Sequence, residues 1–294
     1  MKSIFRFLFR LIGFRVGSKS TQIDRNLIMR HGHVYKYKSL SEYPEHTYEI
    51  IKDCKLYFPR PSQLNDPAEA KPELYIGDIN DPAYRPKVEA WVRRCVASRV
   101  PIPTESQIQH ELRTLTQEML EGMVSVSNSD YKAEIESRYR ILSFAKSFAN
   151  RHLWENYADN FNGVSFEFNT DSKFGPCYEV VYSDDARLLD ITSVDDFEHM
   201  VQTGLIKKTS WRAEDEVRMI FGDPPVDRSQ PVLKSQKYHF QSSYLTGLFI
   251  GYRVSKEHRK NLLTFAKAHK YRIRCFTVFP VFWGTRVLAI PVLL

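Results

Sequence analysis

In "VSFEFN" (164–169) apolar and polar positions alternate with the period of two that a pleated strand imposes. The same pattern, with β-branched and aromatic enrichment, predicts strands in "HVYKYKSL" (33–40), "CKLYFPRP" (54–61), "RILSFAKS" (140–147), "YEVVYSD" (178–184), "WRAEDEVRMIF" (211–221), "LTGLFIGYRV" (245–254) and "YRIRCFTVF" (271–279). Between them the period lengthens to that of a helix. Helices are expected near 44–52, over 86–100 and 104–139, over 194–208, and over 255–270 with Ser255 as N-cap. In the long helical stretch Ile108, Leu112, Leu115, Met119 and Leu120 share one side. In "NRHLWENYADNF" (150–161), Trp154, Tyr157, Ala158 and Phe161 form an aromatic stripe that Asn162-Gly163 breaks. "SQLNDPAEA" (62–70) is a loop, because Asn-Asp-Pro opens a turn and disfavours helix before the proline.

Strands and helices interleave, so the expected class is α+β: a mixed, mostly antiparallel sheet with flanking helices and a helical insert near 86–140. Residues 21–294 read as one such domain, preceded by a basic amphipathic segment over 1–20. The four cysteines lie far apart with no C-x-x-C pair, which argues against a zinc site or disulfide framework and fits a reducing cytoplasm.

Locating the net charge of +7 changes what it means. Residues 1–38 hold nine Lys/Arg against one acidic residue, and residues 252–274 hold eight against one. The remainder is therefore net acidic, and a uniformly basic nucleic-acid face is not indicated. The opening "MKSIFRFLFRLIGFRVG" is interrupted by arginines, and its apolar runs fall far short of the ~20 residues a spanning helix needs. Three readings of it stand: a helix docked on its own fold, peripheral contact of residues 2–16 with an anionic membrane, or a partner-binding helix. In the second basic segment Lys256, Arg259, Lys260, Lys267 and Lys270 are either a solvated helix face or contacts for the phosphates of a nucleic acid.

The stretch "WRAEDEVRMIF" carries the candidate chemistry. Read as a strand, it puts Glu214, Glu216, Arg218 and Ile220 on one face and Asp215, Val217, Met219 and Phe221 on the other, the face expected to pack into a core. Two carboxylates that close repel unless something offsets them. The bland account is an exposed Glu216–Arg218 pair worth ~1 kcal/mol or less. The same spacing also suits an inverting glycosidase pair, but no tryptophan-rich sugar groove accompanies it. No H-E-x-x-H, G-x-S-x-G, Walker A or G-x-G-x-x-G occurs, which disfavours zinc proteases, serine hydrolases, P-loop NTPases and Rossmann dehydrogenases. Asn65 and Asp66 are either ligand contacts from a loop or members of a capped turn. Trp154 and Tyr157 are either core or a platform for a base or nicotinamide ring.

Four motifs in series, "VYKYKSL" (34–40), "LYFPRPSQLNDPAEA" (56–70), "LWENYADNFNGVSFEF" (153–168) and "WRAEDEVRMIF" (211–221), resemble a mostly bacterial family catalogued only as a domain of unknown function. That family more often has Arg where Lys38 stands, Phe where Ala68 stands and Met where Leu153 stands. The E-x-E of Glu214 and Glu216 also resembles the acidic motif of mono-ADP-ribosyltransferases, which place a basic residue on an early strand and a Ser-x-Ser-like segment on a middle one. That resemblance implies NAD as substrate, held by Lys36 or Lys38, with Ser143 supporting the site. Glu216 would stabilise the ribosyl cation, Glu214 would position the acceptor, and Arg218 would orient Glu216. A toxin or phage-defence role is what the family's general character implies. The rival is a non-catalytic module binding nucleic acid or protein through the two basic segments.

Overall fold

The computed structural model describes residues 32–66, 70, 73–97, 101–170, 174–184, 188–193, 201, 204–223, 225, 232–281 and 286–293. The basic segment over 2–16 lies outside them, as does most of the helix expected over 194–208. Two compact units divide the described residues: one lies within Asp66–Arg138 and Asp185–Gly204, the other within 32–65, Tyr139–Asp184 and Leu205–Leu294.

The second unit contains an eight-stranded sheet. Its members are β1 (Gly32–Ser39), β4 (Tyr139–Ala145), β5 (Gly163–Thr170), β6 (Tyr178–Glu179), β10 (Glu216–Gly222), β12 (Leu245–Gly251), β13 (Arg274–Pro280) and β14 (Val287–Val292), in the order β14-β13-β12-β5-β1-β4-β10-β6. The short strands between these are β2 (Lys55–Tyr57), β3 (Glu73–Tyr75), β7 (Val181–Tyr182), β8 (Leu188–Asp190), β9 (Ile206–Lys207) and β11 (Lys237–His239). Within the main sheet β12 and β13 run parallel and the other pairings are antiparallel. Helices α1 (Pro44–Lys52), α5 (Arg151–Asn156) and α6 (Lys256–Ala268) belong to this unit. The other unit holds α2 (Arg85–Ala97), α3 (Glu105–Thr114) and α4 (Gln117–Arg138). The class is thus α+β with a mostly antiparallel sheet.

Local sequence explains the boundaries. Ser255 caps α6 by accepting the His258 amide at 3.2 Å, and Asn150 caps α5 by accepting that of Leu153 at 3.3 Å. The stretch expected to be helical over 104–139 is two helices, parted at Leu115-Thr116, and of the five residues expected on one apolar side only Leu112 and Leu120 are buried. The aromatic helix is shorter than its stripe. It ends at Asn156, and Asp159, Asn160 and Phe161 follow with positive φ. That left-handed run turns the chain so that Trp154, Ala158 and Phe161 still bury together with Tyr37.

Two glycines make that turn possible. A Cβ at Gly163 would run into the Lys38 carbonyl oxygen, and one at Gly251 into that of Phe161. Gly163→Ala is therefore expected to cost about 1–3 kcal/mol, read as a fall in urea midpoint. An unchanged midpoint would mean that β1 and β5 can part at no cost.

The core on one side of the sheet joins Val34, Phe144, Phe166, Phe168, Val217, Met219 and Phe221 with Phe58 and Phe174. Rings meet there edge-on and stacked, as with Phe58 and Phe221 at 4.8 Å. Strand β10 is buried along its whole length, on both faces, where alternation had suggested one.

Candidate functional site

The polypeptide before β10 does not continue the strand. Thr209–Glu214 is a 3-10 turn, Asp215 takes a left-handed conformation at φ 46°, and the strand begins only at Glu216. Asp215, expected in the core, is exposed. Glu214 and Glu216 are consequently not spaced along one strand face. The turn folds Glu214 back, and both carboxylates meet at the Lys207 ammonium, 2.6 Å from Glu214 Oε2 and 2.9 Å from Glu216 Oε2. Arg218 forks onto Glu216, its Nε at 2.6 Å from Oε1 and its Nη2 at 2.9 Å from Oε2.

Every member of this cluster is buried: the side chains of Glu214, Glu216, Lys207 and Arg218 are 6%, 3%, 4% and 0% exposed. An exposed surface pair is thereby excluded. Two cations offset two anions, which is what allows like charges to approach away from water. Burial pushes the Glu216 carboxyl up, but the Arg218 guanidinium, the Lys207 charge and a hydrogen bond from Ser143 outweigh it and hold the group at about 2.

A second layer of contacts fixes the carboxylates. Tyr157, at the end of α5, donates its hydroxyl to Glu214 and accepts from Asn65 Nδ2 at 2.9 Å. Burial raises the Tyr157 phenol, and its bond to Glu214 and that carboxylate's charge raise it further. The Glu216 amide donates to the Tyr182 hydroxyl at 2.9 Å. The Lys207 ammonium lies 4.8 Å from the centre of the Trp211 ring.

The sheet opens beside this cluster. β1 lies next to β4, yet the two pair at a single position, Tyr35 with Ala145. Beyond it the strands part: Ile141 donates its amide to Pro59 O at 3.0 Å, and Lys36 Nζ donates to Ser143 O at 2.8 Å. Alternation places Lys36 and Lys38 on the face opposite Tyr35, whereas Glu216, in register with Ala145, shares the face of Tyr35. The carboxylates nevertheless act on Lys36 through their charge. Burial and the neighbouring Lys38 push its ammonium down to about 7, while Glu216 and Glu214 pull it back up. Burial also lowers Lys38.

Of the residues singled out in the sequence, Glu214, Glu216, Arg218, Ser143, Tyr157 and Asn65 form one connected set, and Lys36 adjoins it. Trp154 does not belong to it. It is fully buried and donates its indole N–H to Phe148 O at 2.7 Å, so it is core and offers no ring to a ligand. Asp66 is buried and belongs to the helical unit.

Sequence reasoning missed Lys207, which falls where a helix was expected and lies instead on the two-residue strand β9, paired with β7. A lysine pair, Lys207-Lys208, after a single isoleucine gives no periodic signal. Nor did alternation point to Tyr182, whose hydroxyl meets the first residue of β10.

The second basic segment divides in two. Lys256, Lys260 and Lys267 are exposed on α6, and exposed Lys270 stands 5.5 Å from the Tyr271 ring. Arg259 turns inward, donating to Thr277 Oγ1 at 2.8 Å and Gly251 O at 3.2 Å. These bonds hold α6 on the sheet.

Among the described residues no group of three or more His, Cys, Asp or Glu is placed to hold a metal ion, and no helix is long and apolar enough to cross a membrane. Set against family models, curated proteins and solved structures, the chain matches none.

Proposed function

We propose that the chain is an ADP-ribosyltransferase-like enzyme that cleaves the nicotinamide–ribose bond of NAD. The observation that carries the reading is the meeting of Glu214 and Glu216 on Lys207, next to a break between β1 and β4 lined by Lys36 and Ser143. Breaking the glycosidic bond sends its electron pair to nicotinamide and leaves an oxocarbenium-like ribose, which a fixed carboxylate stabilises. An ammonium at the sheet break suits a diphosphate.

The geometry favours exchanging the two carboxylate roles expected from the sequence. Glu216 has both oxygens taken by Arg218 and Lys207, and serves as the anchor that positions Lys207. Glu214 accepts from Lys207 and from Tyr157, a half-buried side chain tied to the loop residue Asn65. It is the carboxylate less enclosed by cations, and it takes the ribose-facing role.

The full chain incubated with NAD is expected to release nicotinamide. Glu214→Gln should slow release about 10²-fold, the size of effect seen when a transition-state charge contact is removed. Tyr157→Phe should slow it less while leaving the fold intact. If the unaltered chain neither binds nor consumes NAD, the enzymatic reading falls and the buried charges are a structural cluster only.

A further inference from the structure

On α6, Lys256, Lys260, Thr264 and Lys267 follow one helical stripe, and with Arg259 and Leu263 they line a shallow depression of about 410 Å³. The only acidic residue on this helix is Glu257, in its first turn. The sheet beside the stripe is not polar. Arg259 ties α6 to Thr277 on β13, Thr277 is in register with Ile290 on the edge strand β14, and Phe279 is in register with Leu288. Cross-strand partners share a face. Leu288 and Ile290 therefore stand on the side of the sheet that α6 covers, and are 53% and 47% exposed. A row of lysines thus runs beside a row of exposed aliphatic side chains.

We propose that this face docks on an anionic lipid surface, with the lysines at the headgroups and Leu288 and Ile290 entering the boundary with the acyl chains. Charge complementarity selects an anionic occupant. A second copy of the chain would set lysine against lysine across an isologous contact. The chain's own N-terminal segment is itself basic. A nucleic acid would leave the two aliphatic residues uncovered. Arginine is the better fork for phosphates and bases, and the helix's one arginine is committed to the sheet. A depression this shallow also lacks the walls that seat a partner helix. The proposal does not depend on the enzymatic reading.

The test is co-sedimentation of the full chain with phosphatidylcholine vesicles with and without phosphatidylserine. Binding is expected only with phosphatidylserine and should weaken as salt rises. The triple variant Lys256→Gln/Lys260→Gln/Lys267→Gln should bind about 10²-fold more weakly, at roughly fivefold per lysine. Leu288→Ser/Ile290→Ser should also weaken binding, while what remains keeps its dependence on salt. The proposal is overturned if the unaltered chain ignores phosphatidylserine, if the triple variant binds as tightly as the parent, or if the lysines prove to be needed for an oligonucleotide or acidic peptide and not for vesicles. Matching thermal melts would confirm that these exposed substitutions leave the fold unchanged.

Discussion

Arg218→Met is expected to lower the free energy of unfolding by about 3–5 kcal/mol, because it strands the Glu216 carboxylate in the core with one shared cation. Arg218 is fully buried and supplies two of the hydrogen bonds that Glu216 accepts. Methionine fills similar space without the charge, so packing loss adds little. The loss should carry a pH signature of fixed sign. Glu216 is held at about 2, below the ordinary 4.5, so it contributes stability above the ordinary value that disappears as pH falls toward the lower one. Removing Arg218 raises that carboxyl, and acid unfolding should then begin at higher pH. Glu216→Gln should also destabilise, since it leaves Lys207 and Arg218 with one carboxylate between them. The double variant should recover part of both losses, because removing both partners of a buried pair is far less costly than removing one. Urea titrations at neutral and acid pH measure all of this. A loss below about 1 kcal/mol for Arg218→Met would put the pair in the class of surface ion pairs.

That pair shows how far the sequence could be read. The alternation of Val217, Met219 and Phe221 correctly placed one face of β10 in the core. It misjudged the opposite face, because a buried, neutralised ion cluster looks in sequence like a solvated one. Its compensating cation, Lys207, lies nine residues from Glu216 on a strand of two residues, too short for periodicity to register. The 3-10 turn was hidden for a related reason. "WRAEDEVRMIF" alternates apart from the charged run Glu214-Asp215-Glu216 and the apolar run at its end, and the break depends on one left-handed residue within the charged run, Asp215, that is not glycine. Asp is among the residues that tolerate this conformation, but nothing marks where one adopts it. The sheet class, the α6 cap at Ser255 and the β-α-β run that makes β12 and β13 parallel were legible because each rests on local signals: period, capping chemistry and connection length. The opening between β1 and β4 was not, since it depends on Pro59 taking a hydrogen bond that strand pairing would otherwise have used.

Lys36→Met is expected to make the protein more stable and less active, the opposite of what truncating Arg218 does to the fold. Lys36 hydrogen-bonds to a backbone carbonyl, and its ammonium is pushed from 10.5 down to about 7 by burial and by Lys38. Such a group opposes folding. Below about 7 it is charged in both states and its cost is largest. As pH rises from about 7 toward 10.5, the folded chain holds it neutral while the unfolded chain still binds the proton, and the cost shrinks. The methionine variant should therefore exceed the parent by a few kcal/mol near pH 6, and the two should approach one another by pH 10. The advantage is smaller than the full pKa displacement implies, because part of the side chain reaches solvent. On the proposed reading such a buried cation would be used for the diphosphate of NAD, whose charge would restore what burial removes. Addition of NAD should accordingly raise the melting temperature of the parent and leave that of Lys36→Met unmoved. Equal melting curves for the two chains near pH 6, with equal response to NAD, would show that Lys36 is neither strained nor used.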